Sequence, residues 1–135
     1  MRQILVVEDN QGDVLLVEVA LREAGLQFEL IHMADGEKAM SYLGTLANGN
    51  ARPPDLVFLD LNLPKRDGWE VLEALRSIPL EHQVPVFILS SSNAPQDRAR
   101  AERLCVAKYI PKPSTLDEFL AIGQTVKQLW QASGQ

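Results

Sequence analysis

The chain is poor in sulfur, imidazole and aromatic rings: of 135 residues one is cysteine, two are histidine, and aromatics make up 6%. The lone Cys105 cannot close an internal disulfide and has no metal-ligand cluster beside it. That excludes a disulfide scaffold and makes a reduced, cytosolic compartment the expectation, with Cys105 as a packed structural thiol. His32 and His82 each stand without a second donor at ligand spacing, so both are read as structural rather than as metal ligands. Long apolar runs are missing too. The first, Ile4-Leu5-Val6-Val7, meets Glu8-Asp9 far short of the roughly 20 residues that span a bilayer, so neither a signal peptide nor a membrane anchor is expected. Positive charge is also in deficit. Thirteen Lys and Arg against eighteen Asp and Glu leave a net charge of −5, which repels nucleic acid and gives no reason to expect a membrane surface as partner.

What is present is ordinary globular material, 46% hydrophobic and 23% charged, with a length that suits one domain over 1–135 and leaves no room for an effector domain. Ile4 to Val7 reads as a strand buried on both faces. Asp13 to Ala24 reads as an amphipathic helix closed by Gly25. Phe28 to Met33 is a second strand. Asp35 then caps a helix with Ala39, Met40 and Leu43 inward, which frays from Gly44 to Pro54. Asp55 to Asp60 is a third strand, Gly68 to Ile78 a helix, and Val84 to Leu89 a fourth strand. Gln96 to Leu104 is a polar helix, Lys108 to Ile110 a short strand, and Leu116 to about Gln131 a long closing helix. Five strands alternating with helices predict an α/β fold: one doubly wound parallel sheet with helices on both faces and right-handed crossovers.

In such sheets ligands collect at the carboxyl ends of the strands, and there lie Glu8, Asp9, Asp60, Ser90 and Lys112. If the first and third strands are neighbours, three carboxylates converge. Their repulsion is relieved by a raised pKa or by a hard cation, and oxygen-only ligands point to Mg²⁺ or Mn²⁺. A site of Asp9 and Asp60, with Glu8 acting through water, suits phosphoryl chemistry.

Five separated motifs give the chain its resemblance to the receiver domains of two-component response regulators over essentially its whole length. They are Val7-Glu8-Asp9-Asn10, then Leu59-Asp60-Leu61-Asn62-Leu63-Pro64 with Asp67-Gly68, then Ser90, Tyr109 and Lys112-Pro113. The resemblance implies the flavodoxin-like (βα)5 fold with strand order 2-1-3-4-5 and Asp60 as phosphoacceptor. It also implies Glu8 and Asp9 as the acidic metal pair, the Asn62 backbone carbonyl facing the metal, Lys112 as partner to the phosphoryl group, and Ser90 as switch hydroxyl. Tyr109 completes the switch by rotating from exposed to buried. An acyl phosphate at Asp60 is a labile, reversible mark, and its formation requires an exposed acceptor among cations.

A narrower similarity, in the loop from Gly44 to Pro54 and on through Gly68-Trp69-Glu70-Val71-Leu72, is to the small response regulators paired with bacterial phytochromes. It implies a red-light-sensing histidine kinase as donor and protein contacts as output. Leu116, Phe119, Leu120, Ile122, Gly123, Val126, Leu129 and Trp130 form an apolar arc wider than the ~100° a surface helix buries. A homodimer through this helix and its neighbouring strand is therefore expected, against the alternative that the arc covers the sheet edge. Three other functions compete. An aspartyl-phosphate hydrolase would need an acid/base carboxylate where Asn62 stands, so no activity on external substrates is expected. A flavin module would need a phosphate-cradling loop where Glu8 and Asp9 stand. A phosphorylation-independent pseudo-receiver scaffold would keep the fold without the chemistry.

Overall fold

Strand and helix alternate five times along the computed structural model, which describes residues 1–132: β1 (Arg2–Val7), α1 (Gln11–Glu23), β2 (Phe28–Met33), α2 (Gly36–Ala47), β3 (Leu56–Asp60), α3 (Gly68–Ser77), β4 (Val86–Ser90), α4 (Pro95–Arg103), β5 (Lys108–Pro111) and α5 (Leu116–Ala132). All five strands run parallel in one sheet, in the order β2-β1-β3-β4-β5. This is the expected doubly wound order. The central strands β3 and β4 are buried at every residue, which is why they read as unbroken apolar runs rather than as alternating ones.

Alternation of side chains divides the core in two. Leu5, Val7, Val57, Leu59, Val86 and Ile88 pack with α2 and α3 on one face. Ile4, Val6, Leu56, Phe58, Phe87 and Leu89 pack with α1 and α5 on the other. The Phe58 and Phe87 rings meet edge to face there, 5.5 Å apart at 84°. Continuing the period of two, Glu8 and Asp60 follow Val6 and Phe58 onto the α1/α5 face. Strand pairing brings their ends level, with Val7 opposite Leu59.

Several boundaries differ from the sequence reading. Helix α2 runs through Gly44 to Ala47, because Leu46 continues the buried stripe of Ala39 and Leu43. Strand β4 starts at Val86 rather than Val84, since Pro85 has no N–H to give the ladder. Pro95 opens α4, where a missing N–H costs nothing.

Cys105 is exposed rather than packed. It takes the left-handed position after α4, at φ 58°. There its N–H reaches the Glu102 carbonyl at 3.0 Å and the next N–H, of Val106, reaches Ala101 at 3.1 Å. That double bond pattern closes a helix and turns the side chain outward. Arg76 then fastens this corner to α3, donating to the carbonyls of Val84 (2.7 Å), Leu104 (2.8 Å) and Cys105 (3.1 Å). Replacing Arg76 by alanine is expected to lower unfolding free energy by about 2 kcal/mol, from charge-assisted bonds lost to half-buried carbonyls. Urea denaturation of the variant checks this.

The arc on α5 is mostly consumed inside the chain. Phe119, Ile122, Gly123, Val126 and Trp130 are buried, whereas Leu116 is 54% exposed. Gly123 allows this packing: a Cβ there would lie 2.7 Å from the Ala20 carbonyl carbon, so α1 and α5 approach as closely as backbone permits.

Candidate functional site

The two buried acidic side chains at the strand ends, Glu8 and Asp60, are each held by a backbone amide close in sequence. The Asn10 N–H donates to Glu8 Oε2 at 3.1 Å, and the Asn62 N–H donates to Asp60 Oδ1 at 3.0 Å. Both are two-residue turns that lock a carboxylate as the chain leaves its strand. Lys112, just beyond β5, crosses to the remaining oxygens. Its Nζ lies 3.0 Å from Glu8 Oε1, 3.0 Å from Asp13 Oδ2 and 3.3 Å from Asp60 Oδ2. Its backbone N–H bonds to the Ser90 carbonyl at 2.9 Å, so the lysine is fixed at both ends.

Glu8 and Asp60 are 3% and 4% exposed. The expectation of an exposed acceptor is corrected: the Lys112 side chain, itself only 25% exposed, lies against the carboxylate. Burial of Glu8, reinforced by the Asp60 charge, outweighs the bonds from Asn10 and Lys112 and pushes the Glu8 pKa up from 4.5 to about 7. For Lys112 burial acts to lower the pKa, but the bonds to Asp13 and Glu8 and the nearby negative charge prevail and raise it.

Glu8, Asp9 and Asp60 offer one carboxylate oxygen each, all within 4.8 Å of one another. Asp9 is the exposed member. This donor set fits a hard divalent cation that keeps part of its water shell. Because the Glu8 pKa is raised, the folded state favours its protonated form. That stabilisation is complete below about pH 4.5 and is lost as pH rises through about 7. Cation binding works the other way, since it requires the carboxylate. Mg²⁺ affinity is therefore expected to climb with pH through neutrality, with close to one proton released per ion at about pH 6 and almost none at about pH 8.5. Calorimetry in buffers of different ionisation enthalpy measures that number.

The other strand-end hydroxyl, Ser90, is fully buried and its Oγ accepts the Ser92 N–H at 3.0 Å. Ser92 links the remaining parts. Its carbonyl accepts the Tyr109 hydroxyl at 2.9 Å, and its Oγ donates to Asp97 at 2.5 Å on the first turn of α4. The Arg98 guanidinium sits 4.9 Å from the centre of the Tyr109 ring. Tyr109 is thus half-buried and tethered to the β4–α4 loop. All the predicted site residues except Tyr109 lie at or just beyond the carboxyl ends of β1, β3, β4 and β5.

The sequence reading missed two participants. Asp13 was visible only as the start of the first helix, though its place one turn after the acidic pair aims it at the same strand end. Ser92 was legible as a neighbour of the switch hydroxyl that could tune water access, but its bonds to Tyr109 and Asp97 were not. His32 proves structural, its Nε2 2.7 Å from the Glu8 carbonyl oxygen. Trp69 packs against the core beneath Arg100, 4.5 Å away, rather than over the acceptor.

Residues 4–123 match the profile of the response regulator receiver domain. The chain belongs to that family. The receiver is 35% identical over 128 residues to response regulator Rcp1 of Synechocystis, an alignment covering 94% of this chain and 87% of that protein. Among solved structures it resembles the phosphorylated cyanobacterial phytochrome response regulator RcpA, at 37% identity and TM-score 0.84, covering 98% of this chain and 95% of that one. It also resembles the Mn²⁺-bound form of Rcp1, at 34% identity and TM-score 0.83 over 96% and 94% of the two chains. Among the described residues of the receiver, no helix is long and apolar enough to cross a membrane.

Proposed function

We propose that this receiver accepts a phosphoryl group on Asp60 from the phosphohistidine of a sensor histidine kinase, and that the acyl phosphate alters its protein-binding surface. The supporting observation is the convergence on Asp60 of one ammonium, 3.3 Å away, and two further carboxylates within 4.8 Å. In the reaction an Asp60 oxygen attacks phosphorus, the P–N bond breaks, and the imidazole departs with the electron pair. The Asn62 amide steadies Oδ1, which leaves Oδ2 to attack once Lys112 shifts. Lys112 then donates to a phosphoryl oxygen, offsetting charge that builds up in transfer.

Asp9 and Asp60, the Asn62 backbone carbonyl, and Glu8 through water would hold Mg²⁺ or Mn²⁺. When bound, the ion neutralises the carboxylates and the incoming phosphoryl oxygens. Ser90 already accepts from the Ser92 amide, so its hydroxyl proton is available to the phosphoryl group. Drawing Ser90 toward Asp60 pulls on Ser92, and through it on Tyr109 and α4. The expected rotation of Tyr109 therefore becomes a movement of a residue already bonded to the loop.

The reading gives the chain no catalysis beyond its own phosphorylation and dephosphorylation, since Asn62 supplies no acid/base carboxylate. A cytoplasmic location and a bacterial phytochrome as donor belong to it, the latter supported by the likeness to phytochrome response regulators. A symmetric dimer through α5 and β5 also belongs to it, supported by exposed Leu116 beside β5, which pairs with β4 on one side and forms the edge of the sheet on the other. A monomeric mass by light scattering that stays the same at every concentration, with and without an acyl-phosphate mimic, would remove the dimer. Burial of Asp60 favours the rival scaffold that needs no phosphate. Incubation with a histidine-phosphorylated red-light kinase separates the two: label moves to the native chain in Mg²⁺ and not to Asp60→Asn, whereas a scaffold takes up none.

A further inference from the structure

The closest partner of Lys112 outside the carboxylate cluster is Asp13, which none of the acceptor chemistry above employs. A carboxylate at the third position of a helix ordinarily folds back to the N–H of the capping residue. Here that N–H, of Asn10, is taken by Glu8 Oε2, while Asn10 Oδ1 accepts the Asp13 N–H at 3.1 Å. The Asp13 side chain is thereby released from its local role and reaches Lys112, 99 residues later in the chain, whose ammonium is otherwise held by Glu8 and Asp60.

An ammonium has three protons to donate, and all three of Lys112's are committed, to Glu8, Asp13 and Asp60. Glu8 and Asp60 are also two of the three carboxylates able to hold the cation. The ammonium and the cation therefore compete for the same oxygens. Asp13 is the one partner of Lys112 that stands outside this competition.

We propose that Asp13 is a positioning residue, which holds the Lys112 ammonium on the α1 side of the pocket so that Glu8 and Asp60 can turn to a divalent cation. This rests on the phosphoacceptor reading. With Asp13 in place, loss of the Glu8 bond leaves Lys112 paired and within reach of Asp60. Without its charge, Lys112 settles on Glu8 and Asp60 and must be displaced before the ion binds. Asp13 thus acts on the cation through Lys112 rather than by touching it.

The test is Mg²⁺ affinity, measured by calorimetry, in a cycle of native protein, Asp13→Asn, Lys112→Ala and the double variant. Asp13→Asn is expected to weaken Mg²⁺ binding about tenfold, as loss of an outer partner of a metal site does. Asp13→Glu should recover most of the affinity. In the Lys112→Ala background Asp13→Asn should change affinity little, because the residue it acts through is gone. An equal loss in both backgrounds would reduce Asp13 to one more negative charge and overturn the proposal, as would native affinity in Asp13→Asn. Phosphorylation of the native chain is followed separately. If it fails while the cycle behaves as expected, the acceptor reading falls and the placement of Lys112 by Asp13 stands.

Discussion

Lys112→Ala is expected to lower the unfolding free energy by about 3 kcal/mol in the absence of divalent cations, the usual scale for removing one partner of a buried ion pair. It is also expected to abolish the conformational response to phosphorylation. The stability loss follows from what remains. Glu8 and Asp60, 3% and 4% exposed, would face each other with no cation between them. Even beside Lys112 the Glu8 pKa reaches about 7, so in the variant Glu8 carries a proton at neutral pH, which limits the loss. Mg²⁺ replaces the missing charge and should restore most of the stability, making the variant more cation-dependent than the native protein. Urea denaturation of both proteins with and without Mg²⁺ reads the effect, and equal metal-free stabilities would contradict it. The response is lost for a separate reason: the backbone of Lys112 is bonded to Ser90 and its ammonium to Asp60, so one residue ties the acceptor to the switch strand.

Gly68→Ala is expected to be nearly as damaging, lowering stability by about 3 kcal/mol and slowing phosphoryl uptake. A Cβ at residue 68 would lie 2.6 Å from Leu61 Cα and closer still to the Asp60 carbonyl oxygen. The obstructing atoms are backbone, so no side chain can swing aside, and the cost falls at the upper end of overpacking changes. Relief requires α3 to back away from the end of β3. That would break the 2.9 Å bond from the Gly68 N–H to the Leu61 carbonyl and shift the turn in which the Asn62 amide holds Asp60. Equal denaturation midpoints for the native and variant proteins would show that the segment is looser than this packing implies.

The parts of this site that were legible in the sequence are those carried by local pattern. The run Leu56 to Leu59 ending at Asp60, and Ile4 to Val7 ending at Glu8, announce buried parallel strands with carboxylates at their ends. Alternation with helices then yields a parallel doubly wound sheet, while its strand order was legible only through the resemblance carried by the five motifs. Burial of Asp60 was not legible, because the residue that covers it, Lys112, lies 52 positions away. Its solvent exposure is decided by how the segment after β5 folds back. The position of Cys105 was misread because the sign of φ after a helix is not visible in residue type when glycine is absent. Gly44 was read as a helix end, but the burial of Leu43 and Leu46 on either side overrides its weak propensity. Asp13 was read by helical period alone, which registers an acidic residue in a first turn and is silent on which distant cation it will meet.

The raised pKa of Glu8, the burial of Asp60 and the three contacts of Lys112 describe a pocket whose charges are balanced by a side chain, which under the proposed function a cation and a phosphoryl group would replace. Asp60→Asn removes one of the repelling charges and preserves the oxygen that accepts the Asn62 amide. It is therefore expected to fold at least as stably as the native protein, which makes it a clean control.

The most direct measurement is intact protein mass after incubation with a small acyl-phosphate donor, with and without Mg²⁺, for the native chain and Asp60→Asn. The account predicts the gain of one phosphoryl group by the native chain, only when Mg²⁺ is present, and none by the variant. A gain that persists in Asp60→Asn, or a native chain that takes up no phosphoryl group in Mg²⁺, would contradict it.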